Sequence, residues 1–130
     1  MKKIRIYYED TDAGGVVYHT NYLKYCERAR SEYFFSNNLS PIVDGGHFVV
    51  RKLDCDFIAP ALFADIIEVK TSLIELKNSS FTVFHEIIKD DKVIFSTTVV
   101  LVLVKDNKVK RLTMQIKEMI QTLFKTTPLV

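Results

Sequence analysis

The sequence is poor in the residues that would commit it to the simplest structural classes. Its two cysteines, Cys26 and Cys55, form no CxxC pair and no Cys/His cluster, which excludes a disulfide framework and a thiolate-rich metal site. Reduced thiols in a cytoplasmic chain are the better reading. Four glycines and three prolines build no linker or low-complexity run, and no internal repeat is present. No apolar run approaches the length of a membrane-crossing helix. The opening residues, Met1-Lys2-Lys3-Ile4-Arg5-Ile6, carry positive charge with no apolar stretch behind it, so no signal peptide is expected. A net charge of +2 gives no case for nucleic acid, and leaves room only for a local basic patch facing a phosphorylated ligand. Phosphate-cradling GxGxxG and Walker loops are missing too. An EF-hand fails on spacing, because Asp10 and Asp12 lead to Gly14 and Asn21 stands where the closing glutamate belongs. No metal is expected.

What remains is an ordinary globular composition. With 130 residues, 48% of them hydrophobic and 26% charged, the chain forms one domain over residues 1–130 with a sizeable core. Residues 3–8 alternate and read as a first strand. From Asn21, the apolar and small residues Tyr22, Cys26, Ala29 and Tyr33 recur at steps of three and four, with Leu23 and Phe34 widening the stripe. That helix should end near Phe35, since Ser36-Asn37-Asn38 is turn-forming and Pro41 follows. Four more strands are expected over residues 48–58, 65–76, 80–89 and 93–105, joined by turns at Lys77-Asn78-Ser79 and Asp90-Asp91-Lys92, with Pro60 marking an edge, bulge or bend. The last strand is so continuously apolar that both of its faces need cover, a sign of contact between copies. After a turn at Asp106-Asn107-Lys108, residues 112–124 have helical spacing. Short turns make antiparallel neighbours, so the fold class is α+β: a five-stranded antiparallel sheet wrapped around one long central helix, plus a C-terminal helix.

Chemistry concentrates in one stretch, Tyr7-Tyr8-Glu9-Asp10-Thr11-Asp12-Ala13-Gly14-Gly15-Val16-Val17-Tyr18-His19, which runs into the long helix. The first amides of a helix have no intrahelical partner and carry the positive end of its dipole, so they can stabilise an oxygen that is becoming negative. An aspartate a few residues upstream supplies a base or nucleophile. The pattern equally admits Asp10 and Asp12 as Asx-turn residues that satisfy loop amides. Asp10 reads as a loop-stabilising acceptor. Glu27, Arg28 and Arg30 read as a solvated or interfacial helix face, and His47 and His85 as structural histidines.

That string, followed by Asn21-Tyr22 and Glu27-Arg28-Ala29-Arg30 and extended by Phe57, Pro60 and Asp65, resembles the hotdog-fold acyl-CoA thioesterases. It is most similar to their Tol-Pal-associated (YbgC-type) branch, related to 4-hydroxybenzoyl-CoA thioesterase. The resemblance spans roughly residues 3–105 and is weak near the C-terminus. It implies hydrolysis of an acyl-CoA, or of an acyl group on a carrier protein, with coenzyme A as part of the substrate and no cofactor. It implies Asp12 as general base or nucleophile, and the backbone N–H of His19 as the donor to the thioester oxygen, with the His19 imidazole a further candidate. Tyr8, Gly15, Val16, Tyr18 and Pro60 are then the substrate-binding positions. A homodimer or homotetramer with sites at subunit interfaces is implied as well. Lys52, Lys77, Lys89 and Arg111 are candidate partners for CoA phosphates. A non-catalytic acyl-CoA or carrier-protein binding module is the alternative, opposed by the retention of Asp12 beside the Gly14-Gly15 bend. A hotdog dehydratase would need a His and an acid in a different setting.

Overall fold

A computed structural model describes residues 3–124. Seven strands form one antiparallel sheet: β1 (Lys3–Arg5), β2 (Ile42–Val43), β3 (Gly46–Phe57), β4 (Ile66–Leu76), β5 (Phe81–Lys89), β6 (Lys92–Lys105) and β7 (Lys108–Lys110). The order across the sheet is β1-β4-β5-β6-β3-β2, with β7 paired to β6. Helix α1 (Asn21–Phe35) follows the loop, and α2 (Met114–Phe124) closes the described chain.

The hotdog plan of a curled sheet around a long helix is present, but the strand count is seven where five are expected. The two additional strands, β2 and β7, hold two and three residues. Segments so short cannot display a period of two and are strands only because a long neighbour pairs with them. Each enters through a two-residue turn with both central residues at positive φ: Asp44 (50°) and Gly45 (76°) before β3, Asp106 (53°) and Asn107 (61°) before β7. Asp90 (50°) and Asp91 (62°) make the third such turn, between β5 and β6. Aspartate and asparagine tolerate this geometry, and its twist matches that of paired strands. The first strand is shorter than residues 3–8, because the Asp10 carboxylate accepts the Tyr7 N–H at 2.8 Å and Tyr8–Asp10 coils into a 3-10 turn.

The sheet curls through irregularities in register near Arg51, Ile74 and Ile94. A bulge bends a strand and raises its twist. At the last of these, Ile94 and Phe95 are both buried, contributing two successive side chains to one core. That core lies under the first half of α1, where Tyr22, Tyr25 and Cys26 meet Ile67, Ile87 and Phe95. A second joins Phe34 of α1, Phe81, Val99 and Leu101 of the sheet, and Ile116, Ile120 and Phe124 of α2. Both helices therefore cover the same sheet face. Along β6, Val99, Leu101 and Leu103 are buried under them, while on the opposite face Val102 is buried and Val100 and Val104 are half-buried. The apolar run is thus covered on both sides only in part. Among the described residues no helix is long and apolar enough to cross a membrane.

Candidate active site

The loop between β1 and α1 is built as a small hairpin. Asp12 N–H donates to Val16 O (2.9 Å), Gly15 N–H donates to Asp12 O (3.0 Å), and the Asp12 Oδ1 accepts the Gly14 N–H at 2.8 Å. Gly15 sits at φ 81°, a region that costs an L-residue about 1 kcal/mol or more. A Cβ on Gly14 would lie 3.2 Å from Asp12 Oδ1. The glycine pair therefore lets the chain reverse while holding one oxygen of Asp12, which is exposed and keeps its other oxygen free of protein partners among the described residues.

Three struts fasten this hairpin. Val17 N–H donates to Ala61 O (2.9 Å), Val16 bridges to Leu62, and the Ala61 N–H donates to the Tyr22 Oη at 3.0 Å. The Asp10 carbonyl accepts both the Tyr18 N–H (3.0 Å) and the Asn21 side-chain amide (2.8 Å). Asp10 is thus the loop-stabilising acceptor expected of it, through its carboxylate at Tyr7 and its carbonyl at α1. Tyr25, buried on α1, has its hydroxyl pushed up by burial and by the nearby Asp10 carboxylate, which is not placed to accept a hydrogen bond from it. The stretch 62–65 is held in turn by Asp65, whose Oδ2 accepts the Leu62 N–H (2.7 Å) and pairs with Lys89 Nζ (2.6 Å).

Helix α1 starts at an open end. Thr20 is its N-cap without a side-chain cap bond, and no acidic residue lies in the first turn. Asn21 N–H donates to Tyr18 O, whereas the His19 and Thr20 amides donate to no group among the described residues. Unpaired N–H groups and an uncompensated dipole end form a site ready for an anionic oxygen. The His19 ring is exposed, tilted against Tyr18 (centroids 4.4 Å) and edge-on to Phe57 (6.5 Å). Tyr8 is exposed and stacked on Phe63 at 4.0 Å. Pro60 is exposed beside the Ala61 strut. Asp12, Gly15, Val16, Tyr18 and His19 lie on the one loop between β1 and α1, and Tyr8 stacks on the 62–65 stretch to which Val16 bridges.

Two features escape the sequence. Tyr22 reads as a core residue of the helical stripe, yet its hydroxyl anchors Ala61 and so the hairpin. Arg30 reads as part of a solvated or interfacial helix face; its Nη1 lies 3.0 Å from the Nε2 of His85, which is fully buried and whose Nδ1 is 2.8 Å from Thr71 Oγ1. Arginine can only donate, so Nε2 accepts and Nδ1 carries the proton toward Thr71. Burial, with the Arg30 charge second, holds His85 down at about 3, so it is a neutral structural histidine. Burial pushes the Cys26 thiol up to about 12, which leaves it inert.

The chain matches the model of the thioesterase superfamily over residues 14–95. It is 51% identical over 85 residues to the acyl-CoA thioesterase YbgC of Helicobacter pylori, a match spanning 65% of this chain and 64% of that one. It is 36% identical over 106 residues, 79% of each chain, to the acyl-CoA thioester hydrolase YbgC of Escherichia coli. Its fold superimposes with a TM-score of 0.78 on a Thermus thermophilus thioesterase crystallised with coenzyme A and zinc, at 28% identity over 93% of this chain and 92% of that one.

Proposed function

The chain belongs to the thioesterase superfamily, and we propose that it hydrolyses acyl-CoA to the free acid and coenzyme A, with Asp12 as the catalytic carboxylate. The observation that carries this reading is an exposed aspartate held by a glycine turn, on a hairpin strapped to the start of a helix whose His19 and Thr20 amides are unpaired. In the proposed step Asp12 takes a proton from water as its oxygen attacks the thioester carbonyl. The His19 N–H stabilises the oxyanion. Collapse of the tetrahedral intermediate breaks the C–S bond, and the thiolate leaves with the proton. Attack by Asp12 itself, through a mixed anhydride that water then hydrolyses, uses the same geometry. A thioester carbonyl is already a good electrophile and a thiolate a fair leaving group, so one carboxylate and one oriented donor suffice, the donor contributing about 3 kcal/mol.

Association of two copies fits the sheet. Strand β2 pairs only with His47 and Gly46, leaving the outer edge of β3 from Phe48 to Phe57 without a partner strand among the described residues. Val49, Val50, Leu53 and Phe57 along it are exposed. A long unpaired edge, here with apolar side chains interleaved with Arg51, Lys52, Asp54 and Asp56, is a template for strand pairing, and a homodimer joined there, or a homotetramer of such dimers, would place a second copy against the open Asp12 surface. Two free cysteines fit a cytoplasmic setting. Carrier-protein thioesters expose the same reacting group and are the second substrate class.

Thiol release from short, branched, long and aromatic acyl-CoAs, measured on the unaltered chain and on Asp12→Asn, tests the reading. The variant should lose about 10²- to 10⁴-fold in kcat with its oligomeric state unchanged. Undiminished turnover in Asp12→Asn refutes the assignment, and saturable binding without turnover in the unaltered chain points to the non-catalytic module.

A further inference from the structure

A second site candidate lies away from the Asp12 loop. A cavity of about 220 Å³ opens between the second half of α1, the start of β3 and the end of α2. Its wall is aromatic, with Phe34, Phe48, Phe81 and Phe124, and Arg30, Glu27 and Ser31 stand at its rim. Arg30 also lines the adjoining depression against Val50 and Leu53, which belong to the β3 edge assigned above to contact between copies.

The charge at this rim is unusual. Arg30 is half-buried, and no carboxylate lies within 4 Å of it among the described residues. Its Nη1 is committed to His85, and His85 is locked by Thr71. This chain of bonds crosses from helix to sheet, because Thr71 and His85 are directly paired between β4 and β5. A guanidinium held in this way is tethered to the sheet, and Arg30 lines both cavities. Glu27, one turn earlier, is exposed, and its Oε1 accepts the Ser31 hydroxyl at 3.3 Å. Charges drawn into protein are ordinarily paired, and guanidinium matches a carboxylate in a two-bond fork. The Glu27 charge favours the Arg30 cation but makes no ion pair with it within 4 Å among the described residues, and an arginine so held above a pocket of phenylalanines matches a ligand with an anionic head and an aromatic or aliphatic body.

We propose that this cavity binds small apolar carboxylates, with Arg30, clamped by His85, as the receptor for the carboxylate. The carboxylate can belong to a free acid or to the far end of an acyl chain, and both present the same group to Arg30. The site does not rest on the hydrolytic reading, since its probe contains no thioester.

The test is calorimetric titration of the full chain with 3-phenylpropanoate and with 3-phenylpropanol, its neutral analogue. The acid should bind saturably and at least tenfold more tightly than the alcohol. Arg30→Gln should abolish the preference, and Arg30→Lys should restore part of it. Glu27→Gln, which removes the competing negative charge, should tighten acid binding. Ile42→Trp, on the exposed lip and outside the bond network, should weaken both probes while leaving the fold intact. Asp12→Asn should change neither. If Arg30→Gln fails to fold, the acid-to-alcohol ratio and Ile42→Trp decide. Equal binding of the two probes, no binding of either, or loss of acid binding in Asp12→Asn but not in Ile42→Trp overturns the proposal, the last by returning the acid to the Asp12 surface. A parallel comparison of acyl-CoAs with and without a distal carboxylate separates the two sources: a preference in kcat/KM lost in Arg30→Gln assigns the site to the acyl chain, and no preference assigns it to free acids.

Discussion

Burying His85 as a neutral ring ties the stability of this fold to pH, and the size of the effect follows from the structure. The imidazole moves from an ordinary value of 6.5 to about 3 on folding, chiefly by burial and secondarily by the Arg30 guanidinium 3.0 Å away. Because the folded value is lower, the unfolded chain binds the proton first as pH falls. The contribution is therefore present above 6.5 and lost progressively toward 3. At pH 7 the unfolded histidine is about a quarter protonated and at pH 5 almost fully so, and with 1.36 kcal/mol per tenfold the loss over that interval is about 2 kcal/mol, growing to about 4 kcal/mol by pH 3. The interval from 7 to 5 lies above the ordinary carboxylate range, which isolates the histidine. The perturbation is His85→Gln, whose amide still offers an acceptor to Arg30 and a donor to Thr71 but does not titrate. Urea unfolding at pH 7, 6 and 5, at one protein concentration, gives both stabilities. The unaltered chain should lose about 2 kcal/mol more than the variant between pH 7 and 5. Parallel curves over that interval would refute the reasoning and mean that the ring takes up its proton over the same range folded and unfolded.

Three other outcomes follow from the geometry. Tyr22→Phe removes the acceptor of the buried Ala61 N–H, so urea unfolding should show a loss of about 1–3 kcal/mol, and kcat should fall as the hairpin loosens. Leu53→Glu, on the unpaired edge of β3, should shift the molar mass in light scattering to that of a single chain; an unchanged mass would place the contact elsewhere. Lys89→Ala breaks the pair with Asp65, whose carboxyl is raised by burial but brought below its ordinary 3.8 overall by the Lys89 and Leu62 hydrogen bonds. That contribution exists above 3.8 and fades as pH falls below it, so the melting temperature of the variant should lie below that of the unaltered chain at pH 7 and converge on it in acid.

The elements that follow a period were legible. Helix α1 begins at Asn21 and ends at Phe35, where a three-and-four stripe meets a turn-forming tripeptide. The four long strands fall where alternation and Asp-Asp or Asp-Asn turns place them. The two short strands were not, although Asp44-Gly45 is itself a hairpin signal, because the paired segments carry no pattern of their own. The early end of the first strand has a local cause in the Asp10 carboxylate at Tyr7.

The candidate stretch was readable because its parts are neighbours in the chain: the bonds at Asp12, Gly14 and Gly15 and at the start of α1 span two to four residues. Side-chain contacts made across the fold were hidden. Tyr22 grips Ala61 across 39 positions, and Arg30 reaches His85 across 55. Strand register alone sets Thr71, His85, Thr97 and Cys55 in one row beneath α1. By itself the sequence determined the order of long elements, which follows from local dihedral preferences and hydrophobic periodicity, while the motif of one loop carried the likeness to a family. Only the tertiary structure decided that a helix arginine turns inward to a neutral histidine, since that depends on burial and cross-strand register, which no short window of residues contains.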